Sequence, residues 1–360
     1  MNVGIIGSGQ LGYMMINEGR KLNNRYYVLN SNGFGPASSI SDGSFDNDSY
    51  KEFVDKCDIV TFEFEHVNEE ALKYAESIGK LRPSLRSVEL KKDRELEKNF
   101  LSSNGIAVAD FRVAETFSEA KRYAKDYGKA MIKRAYGGYD GKGQVLYDHG
   151  KTEEMQGEKF VVEEFINYDF EASIIASRGS DGTVNFHDPS FNYNSNAIFI
   201  YNRAPIDDYG MKAISEKIMN ALEYVGVMGI EFYIKGGKAI VNEYAPRVHN
   251  SGHHTLMGSS ISQFEEHIRA ISDLKISKLI LYEPSGSINV LGKKFDKGEI
   301  NSILSLGETQ IYWYGKEEIR KRRKVGHVNV TDRSIEGLKR KTEKILDILY
   351  GGNINDFISF

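Results

Sequence analysis

The chain has 360 residues, of which 40% are hydrophobic and 27% charged, and its net charge is -4. That length is long for one core, so two or three domains are expected, while the balanced charge excludes a dominant nucleic-acid partner and no apolar run approaches membrane length. The single cysteine, Cys57, excludes an internal disulfide and reads as a buried small hydrophobe in a reducing compartment. The chain opens directly into an apolar strand with no basic region ahead of a long apolar segment, which reads as cytoplasmic.

Val3 to Ile6 predicts a short buried strand, followed by Gly7-Ser-Gly9-Gln-Leu-Gly12 and a helix carrying Met14, Met15 and Ile16. G-x-G-x-x-G between strand and helix suits a dinucleotide, another phosphate, or a purely structural turn. The next strand, Tyr26 to Leu29, runs into Asn30-Ser-Asn-Gly33, without the acid that an NAD ribose requires. In the following strand, Asp58 to His66, Glu63 and Glu65 alternate and so share one face, either solvated or at a ligand cleft. Residues 1–88 read as one α/β domain. A helix over Lys91 to Ser102 carries Asp93-Arg94 and Lys98 on what is ordinarily a solvated face.

Lys129 to Lys133 predicts a strand that leads into the loop Gly137-Gly-Tyr-Asp-Gly-Lys-Gly-Gln144. Its glycines fit either a hairpin turn or a loop whose amides cradle phosphates, and it lacks the Walker pattern. A strand from Phe160 ends in Glu163-Glu164-Phe165-Ile166, and Glu171 opens the next, Ala172 to Ala176. Met211 to Tyr224 is an amphipathic core helix. Glu231 lies on the strand Gly229 to Ile234, and Asn242-Glu243 end the strand that begins at Lys238. The turn Lys235-Gly-Gly237 brings the two carboxylates side by side, where they repel unless a cation compensates them. Mg²⁺, or Mn²⁺ in its place, suits such oxygen ligands together with nucleotide phosphates. Behind them, residues 242–255 crowd Arg247, Asn250 and three histidines into one loop, but His249, His253 and His254 lack zinc-site spacing. The run Arg320 to Lys324 is either an anion-binding patch or a solvated turn, and Ile335 to Tyr350 predicts a final helix.

In order, Lys133, the glycine-rich loop, the Glu163-to-Ile166 linker and the Glu231/Glu243 pair resemble the ATP-grasp superfamily. The blocks 137–144, 242–253, Ser262-Gln-Phe-Glu-Glu-His-Ile-Arg-Ala270, Tyr314-Gly-Lys316 and Arg323-Lys-Val-Gly-His327 resemble the N5-carboxyaminoimidazole ribonucleotide synthetase family. The competing readings are another ATP-grasp carboxylase or ligase and, from a different class, an NAD-dependent oxidoreductase built on Gly7 to Gly12.

The resemblance implies an α/β and α+β protein with an ATP-grasp fold. It would comprise a Rossmann-like pre-ATP-grasp domain (1–88), an ATP-grasp domain (89–275, lid about 112–165) and a small β-rich C-terminal portion (276–360). It also implies ATP- and bicarbonate-dependent carboxylation of 5-aminoimidazole ribonucleotide (AIR) through carboxyphosphate, by a cytoplasmic homodimer. Nucleotide would be held by Arg94, Lys133, Gly138, Tyr139, Asp140, Gly141, Lys142, Gly143, Gln144, Glu163, Glu164, Phe165, Ile166, Glu171, Asn194, Asn242 and Glu243. Glu231 and Glu243 would hold Mg²⁺, while AIR would meet Gln10, Leu11, Glu65, Tyr139, Lys142, Arg247, Lys316, Arg323 and Lys324. Asp140 would be the base, and Arg247 and His249 would complete the catalytic set. The sequence departs from the family pattern at Lys142, Tyr13 and His254, and near 192–194, where Asn192-Tyr-Asn194 stands without the family's nucleotide-contacting histidine.

Overall fold

The computed structural model describes residues 1–138, 143–316 and 318–358. Among them the strands form three sheets. The first contains β1 (Asn2–Ile6), β2 (Arg25–Asn30), β3 (Gly43–Asp46) and β4 (Ile59–Phe62), all parallel, in the order β3-β2-β1-β4. Parallel pairing needs crossovers, and helices cover both faces of this sheet. On one face Met14, Met15 and Ile16 pack with Val3, Ile5 and Val28; on the other Phe53, Val54 and Leu72 pack with Ile6 and Val60. Cys57 is buried there as expected, and burial pushes its thiol up to about 12. A Cβ on Gly4 would approach the Cys57 sulfur to 2.7 Å, so the strand needs glycine at that point.

The second sheet contains β5 (Phe111–Ala114), β6 (Lys129–Arg134), β7 (Gln144–Asp148) and β8 (Phe160–Glu164), antiparallel in the order β5-β8-β6-β7. The helix Phe117–Tyr127 closes one face with Ala120 and Ala124 over Ile132 and Val162. Residues 139–142, in the β6–β7 connection, lie outside the described residues, as do the roles expected for Tyr139, Asp140, Gly141 and Lys142.

The third sheet is the body. It contains β9 (Phe170–Arg178), β10 (Val184–Phe186), β11 (Ser190–Ser195), β12 (Ile198–Ala204), β13 (Gly226–Lys235), β14 (Lys238–Ala245), β15 (Ser285–Leu291), β16 (Thr309–Trp313) and β17 (Lys324–Thr331). Their order is β14-β13-β9-β11-β12-β15-β17-β16, with β10 also on β9 and every pair antiparallel. The C-terminal strands therefore extend the body sheet through the β12–β15 pairing. The helix Ile335–Tyr350 packs Leu338, Ile345 and Leu349 on it; it is not the last, since a short helix, Asn355–Ile358, follows.

The N-terminal unit and the body share one core. Met15 and Ile16 meet Phe264 and Ile268 of the helix Gln263–Ile271, and Thr61 Oγ1 lies 2.9 Å from His267 Nε2. His267 Nδ1 accepts the Val227 N–H at 3.0 Å, so the proton on Nε2 is the one directed at Thr61.

Three local expectations change. The helix expected from Lys91 to Ser102 is two helices, Leu85–Lys92 and Arg94–Ser103, broken at Asp93, which is extended and caps the second with its carboxylate 2.8 Å from Glu95 N. Its charged face is not solvated, because Glu97 and Lys98 are buried against β14. β14 continues to Ala245, so Asn242 and Glu243 sit within it, while β4 stops at Phe62, so Glu63 and Glu65 lie just beyond it.

Candidate active site

The three sheets converge on a cleft of about 450 Å³. The N-terminal unit contributes Gln10, Leu11, Glu63 and Glu65 beyond its strand ends, where open parallel sheets bind ligands. The second sheet contributes Lys133, Gly138 and Gln144; the body contributes Glu171, Asn194, Glu231, Asn242, Glu243, Arg247, His249 and Lys324; and Arg94 enters from the break between helices. Most of the described residues singled out in the sequence thus share one cleft. Gly143, Glu163, Glu164, Phe165, Ile166, Lys316 and Arg323 do not line it.

The glycine turn already holds an anion, and it belongs to the chain. The backbone N–H groups of Gly9 and Gly12 donate to the two oxygens of Glu63, the latter at 2.8 Å. A Cβ at Gly7 or Gly9 would come within 2.6 Å of the Glu63 side chain, and one at Gly12 within 3.3 Å. The glycines make room for this carboxylate, which takes the place at the helix N-terminus that a dinucleotide pyrophosphate would need. Burial raises the Glu63 carboxyl, and the two amides, Lys316 and Arg247 pull against it. The helix start so fixed presents Gln10, whose Oε1 accepts from Lys316 Nζ at 2.7 Å.

On one wall, Lys133 Nζ lies 2.9 Å from Glu163 Oε2, and Lys98 Nζ lies 3.3 Å from the same oxygen while donating to Asn242 O at 3.1 Å. Burial opposes the charge on Glu163, but the two lysines hold its carboxyl at about 2. Burial lowers the Lys133 pKa, with Glu163 opposing. The following linker is pinned by backbone: Glu164 N–H donates to Asp110 O, Phe165 N–H donates to Lys129 O, and Ile166 is buried. Glu171 receives the Tyr168 hydroxyl at 2.6 Å and the Asn194 carboxamide, which unites two residues 23 positions apart. Arg94 Nη2 reaches Gly138 O at 3.4 Å.

Glu231 and Glu243 stand opposite each other in the β13–β14 register. Burial and the charge of Glu243 push Glu231 up to about 8. Burial works against the Glu243 charge too, yet Lys91 and Arg94 hold that carboxyl far below the usual range. Lys91 Nζ is 2.6 Å from Glu243 Oε2, and Arg94 is 3.8 Å away. Two facing carboxylates beside the Asn242 carboxamide form an all-oxygen set, and one of them is held neutral when no further cation is near. That set fits Mg²⁺ or Mn²⁺.

On the opposite wall, Arg247 Nε lies 3.0 Å from Glu65 Oε1, close enough for an ion pair though not aligned as a hydrogen bond. His249 Nδ1 accepts from Ser251, which leaves Nε2 facing Glu231 at 3.7 Å, and burial drives its pKa well down. Asn250 lines the cleft with its buried Nδ2 unpartnered among the described residues. Lys324 lines the cleft, whereas Arg323 pairs with Glu318 at 2.8 Å outside it.

Much of the polar density of this loop is structural. His253 and His254 are buried, and Asn329 binds His253 O at 2.8 Å. Gln263 clamps both the N–H and the C=O of His249, at 2.8 and 2.6 Å. Sequence reading missed Gln263, Lys91 and Glu97. Spacing alone carried no signal for them: Lys91 and Glu97 owe their burial to Glu243 and Tyr244, about 150 residues onward, and Gln263 acts on a loop 14 residues before it.

The ribonucleotide synthetase preATP-grasp domain family matches residues 1–91, the ATP-grasp domain family 99–264, and the phosphoribosylaminoimidazole carboxylase C-terminal domain family 285–341. Fold and site define an ATP-dependent ligase of the ATP-grasp class. An N5-carboxyaminoimidazole ribonucleotide synthase from Saccharolobus solfataricus is 44% identical over 359 residues, covering 98% of this chain and 97% of the relative. Among solved structures, the Staphylococcus aureus N5-carboxyaminoimidazole synthetase complexed with ADP is similar, with TM-score 0.88, 28% identity and 96% of each chain covered. So is the Aspergillus clavatus N5-carboxyaminoimidazole synthase in complex with ADP and 5-aminoimidazole ribonucleotide, with TM-score 0.85, 25% identity, and 97% of this chain and 98% of that one covered. The chain belongs to the N5-carboxyaminoimidazole ribonucleotide synthase family. No helix among the described residues is long and apolar enough to cross a membrane.

Proposed function

We propose that the chain couples ATP cleavage to carboxylation of the exocyclic amine of AIR, with bicarbonate as the carbon source. The observation that carries this reading is the Glu231/Glu243 pair, set in one cleft with Arg94 and Lys133 on the nucleotide side and Arg247 and Lys324 opposite. Bicarbonate oxygen attacks the γ-phosphorus of ATP, the bond to ADP breaks, and carboxyphosphate forms. Carboxyphosphate then separates into CO₂ and phosphate, and the amine nitrogen of AIR bonds to the carbon and gives up a proton.

Arg94 and Lys133 bind the nucleotide phosphates, together with Gly138, Gly143 and Gln144 of the glycine-rich loop. Glu163 fixes Lys133, while Glu164 to Ile166 and Glu171 with Asn194 seat base and ribose. Glu231, Glu243 and Asn242 would hold Mg²⁺ or Mn²⁺, which when bound neutralises charge on the phosphate oxygens. Gln10, Leu11, Glu65, Arg247 and Lys324 form the AIR wall, Lys316 supports it through Gln10, and Arg323, Tyr139 and Lys142 are assigned to AIR by the family resemblance alone. Asp140 takes the amine proton, a role that requires reach to the amine. Arg247, on that wall, and His249, which faces Glu231, hold the carboxyl intermediate; the neutral His249 donates from Nε2. The chain would work as a cytoplasmic homodimer.

The test is product formation. Purified protein with AIR, ATP, Mg²⁺ and ¹³C-bicarbonate should yield the N-carboxylated nucleotide by NMR, with ADP release strongly stimulated by AIR. No product over a range of pH and temperature overturns the reading.

A further inference from the structure

Lys91 has no role in the family resemblance, yet its ammonium sits at the centre of the cleft's charge balance. Its Nζ lies 2.6 Å from Glu243 Oε2 and 3.1 and 3.3 Å from the two oxygens of Glu97. The two acids differ in freedom. Glu97 is 1% exposed and fixed, because its Oε1 also accepts Tyr244 N–H at 3.2 Å. The Glu243 side chain is 37% exposed and faces the cleft opposite Glu231. One partner is thus an anchor, and the other is a carboxylate that a ligand can reach.

A divalent ion entering the Glu231/Glu243 pair would meet an ammonium already bonded to one of its ligands, and at such range like charges repel strongly. The flexible lysine stem has somewhere to go, since the contacts with Glu97 survive when the contact with Glu243 is given up. We propose that Lys91 is a built-in counter-cation, neutralising Glu243 until a divalent ion arrives with nucleotide and then falling back on Glu97. Free metal consequently binds weakly, and metal with nucleotide binds well, because the added phosphate charge favours both cations at once. This rests on the reading of Glu231 and Glu243 as the metal site.

The test is Mn²⁺ binding by electron paramagnetic resonance on the full chain, with and without ADP, for the parent protein, Lys91→Met and Lys91→Arg. Circular dichroism and thermal melting accompany each, and Lys91→Gln replaces the Met variant if that variant fails to fold. Without ADP, Lys91→Met should bind Mn²⁺ about ten-fold more tightly than the parent, while Lys91→Arg should stay at the parent affinity. With ADP the advantage of Lys91→Met should shrink. Unchanged or weaker Mn²⁺ binding by folded Lys91→Met overturns the proposal, as does equal tightening in Lys91→Arg. If no protein binds Mn²⁺ even with ADP, the metal-site reading itself fails; binding with ADP but no gain from Lys91→Met removes only the counter-cation.

Discussion

Glu63 and Glu243 are both carboxylates at the cleft, and the chain neutralises them in opposite ways. Glu63 is met by backbone N–H groups of Gly9 and Gly12, which cannot leave, and by glycines that a side chain would push into it. Glu243 is met by the side chain of Lys91, which has a second partner. A carboxylate tied to main chain belongs to the architecture; one tied to a movable cation remains open to a ligand. Glu266 adds a third solution. It is fully buried on the helix Gln263–Ile271, receives the Ser177 hydroxyl at 3.0 Å, and burial pushes its carboxyl up to about 7, so a proton neutralises it.

The contrast can be broken by substitution. The largest effect is expected at Glu243. Glu243→Gln should lower turnover by about 100-fold or more, as removal of a transition-state charge contact does, and should weaken Mn²⁺ binding in the presence of ADP while leaving thermal stability near that of the parent. A variant that keeps its Mn²⁺ affinity would contradict the open role of this side chain.

Glu63→Ala should do the reverse. Two helix-start N–H groups lose their partner, so urea unfolding should show a loss of about 2–4 kcal/mol, with Mn²⁺ and nucleotide affinity kept. An unfolding midpoint equal to the parent's would mean that the glycine turn does not depend on its internal anion.

Glu266→Gln gives the smallest and most pH-specific effect. The folded carboxyl keeps its proton to about pH 7, whereas in the unfolded chain it ionises from its ordinary 4.5. Its contribution is therefore fully present below pH 4.5 and lost as pH rises through 7, at about 1.4 kcal/mol per pH unit. Relative to the parent, Glu266→Gln should gain stability across that window and be level with it at the acid end. A pH-independent difference in melting temperature would show that the group is ionised in the fold.

How far the sequence could be read follows the same division. The helix Ile335–Tyr350 begins and ends where its period and Gly351 require, and the paired acids Glu231 and Glu243 follow from one short glycine turn. Local signals suffice where the determinants are local. The alternating charges from Lys91 to Lys98 were misleading, because a solvated face and a face buried against another acid have the same composition; only the β14 partner, some 150 residues onward, distinguishes them. The G-x-G-x-x-G turn was ambiguous for a related reason. Its anion comes from Glu63, 51 residues beyond Gly12, and no spacing rule announces an internal carboxylate. In the loop 242–255 the histidines looked equivalent, yet only His249 reaches the cleft, while His253 and His254 are held under the C-terminal strands.

The most direct test of the chemistry uses ¹⁸O-labelled bicarbonate with ATP, AIR and divalent metal. If bicarbonate is phosphorylated by ATP, the released phosphate carries an oxygen from bicarbonate, and its ³¹P signal shifts in step with formation of the N-carboxylated nucleotide. Product formation with unlabelled phosphate would contradict carboxyphosphate as the intermediate, and labelled phosphate without any carboxylated nucleotide would contradict AIR as the acceptor.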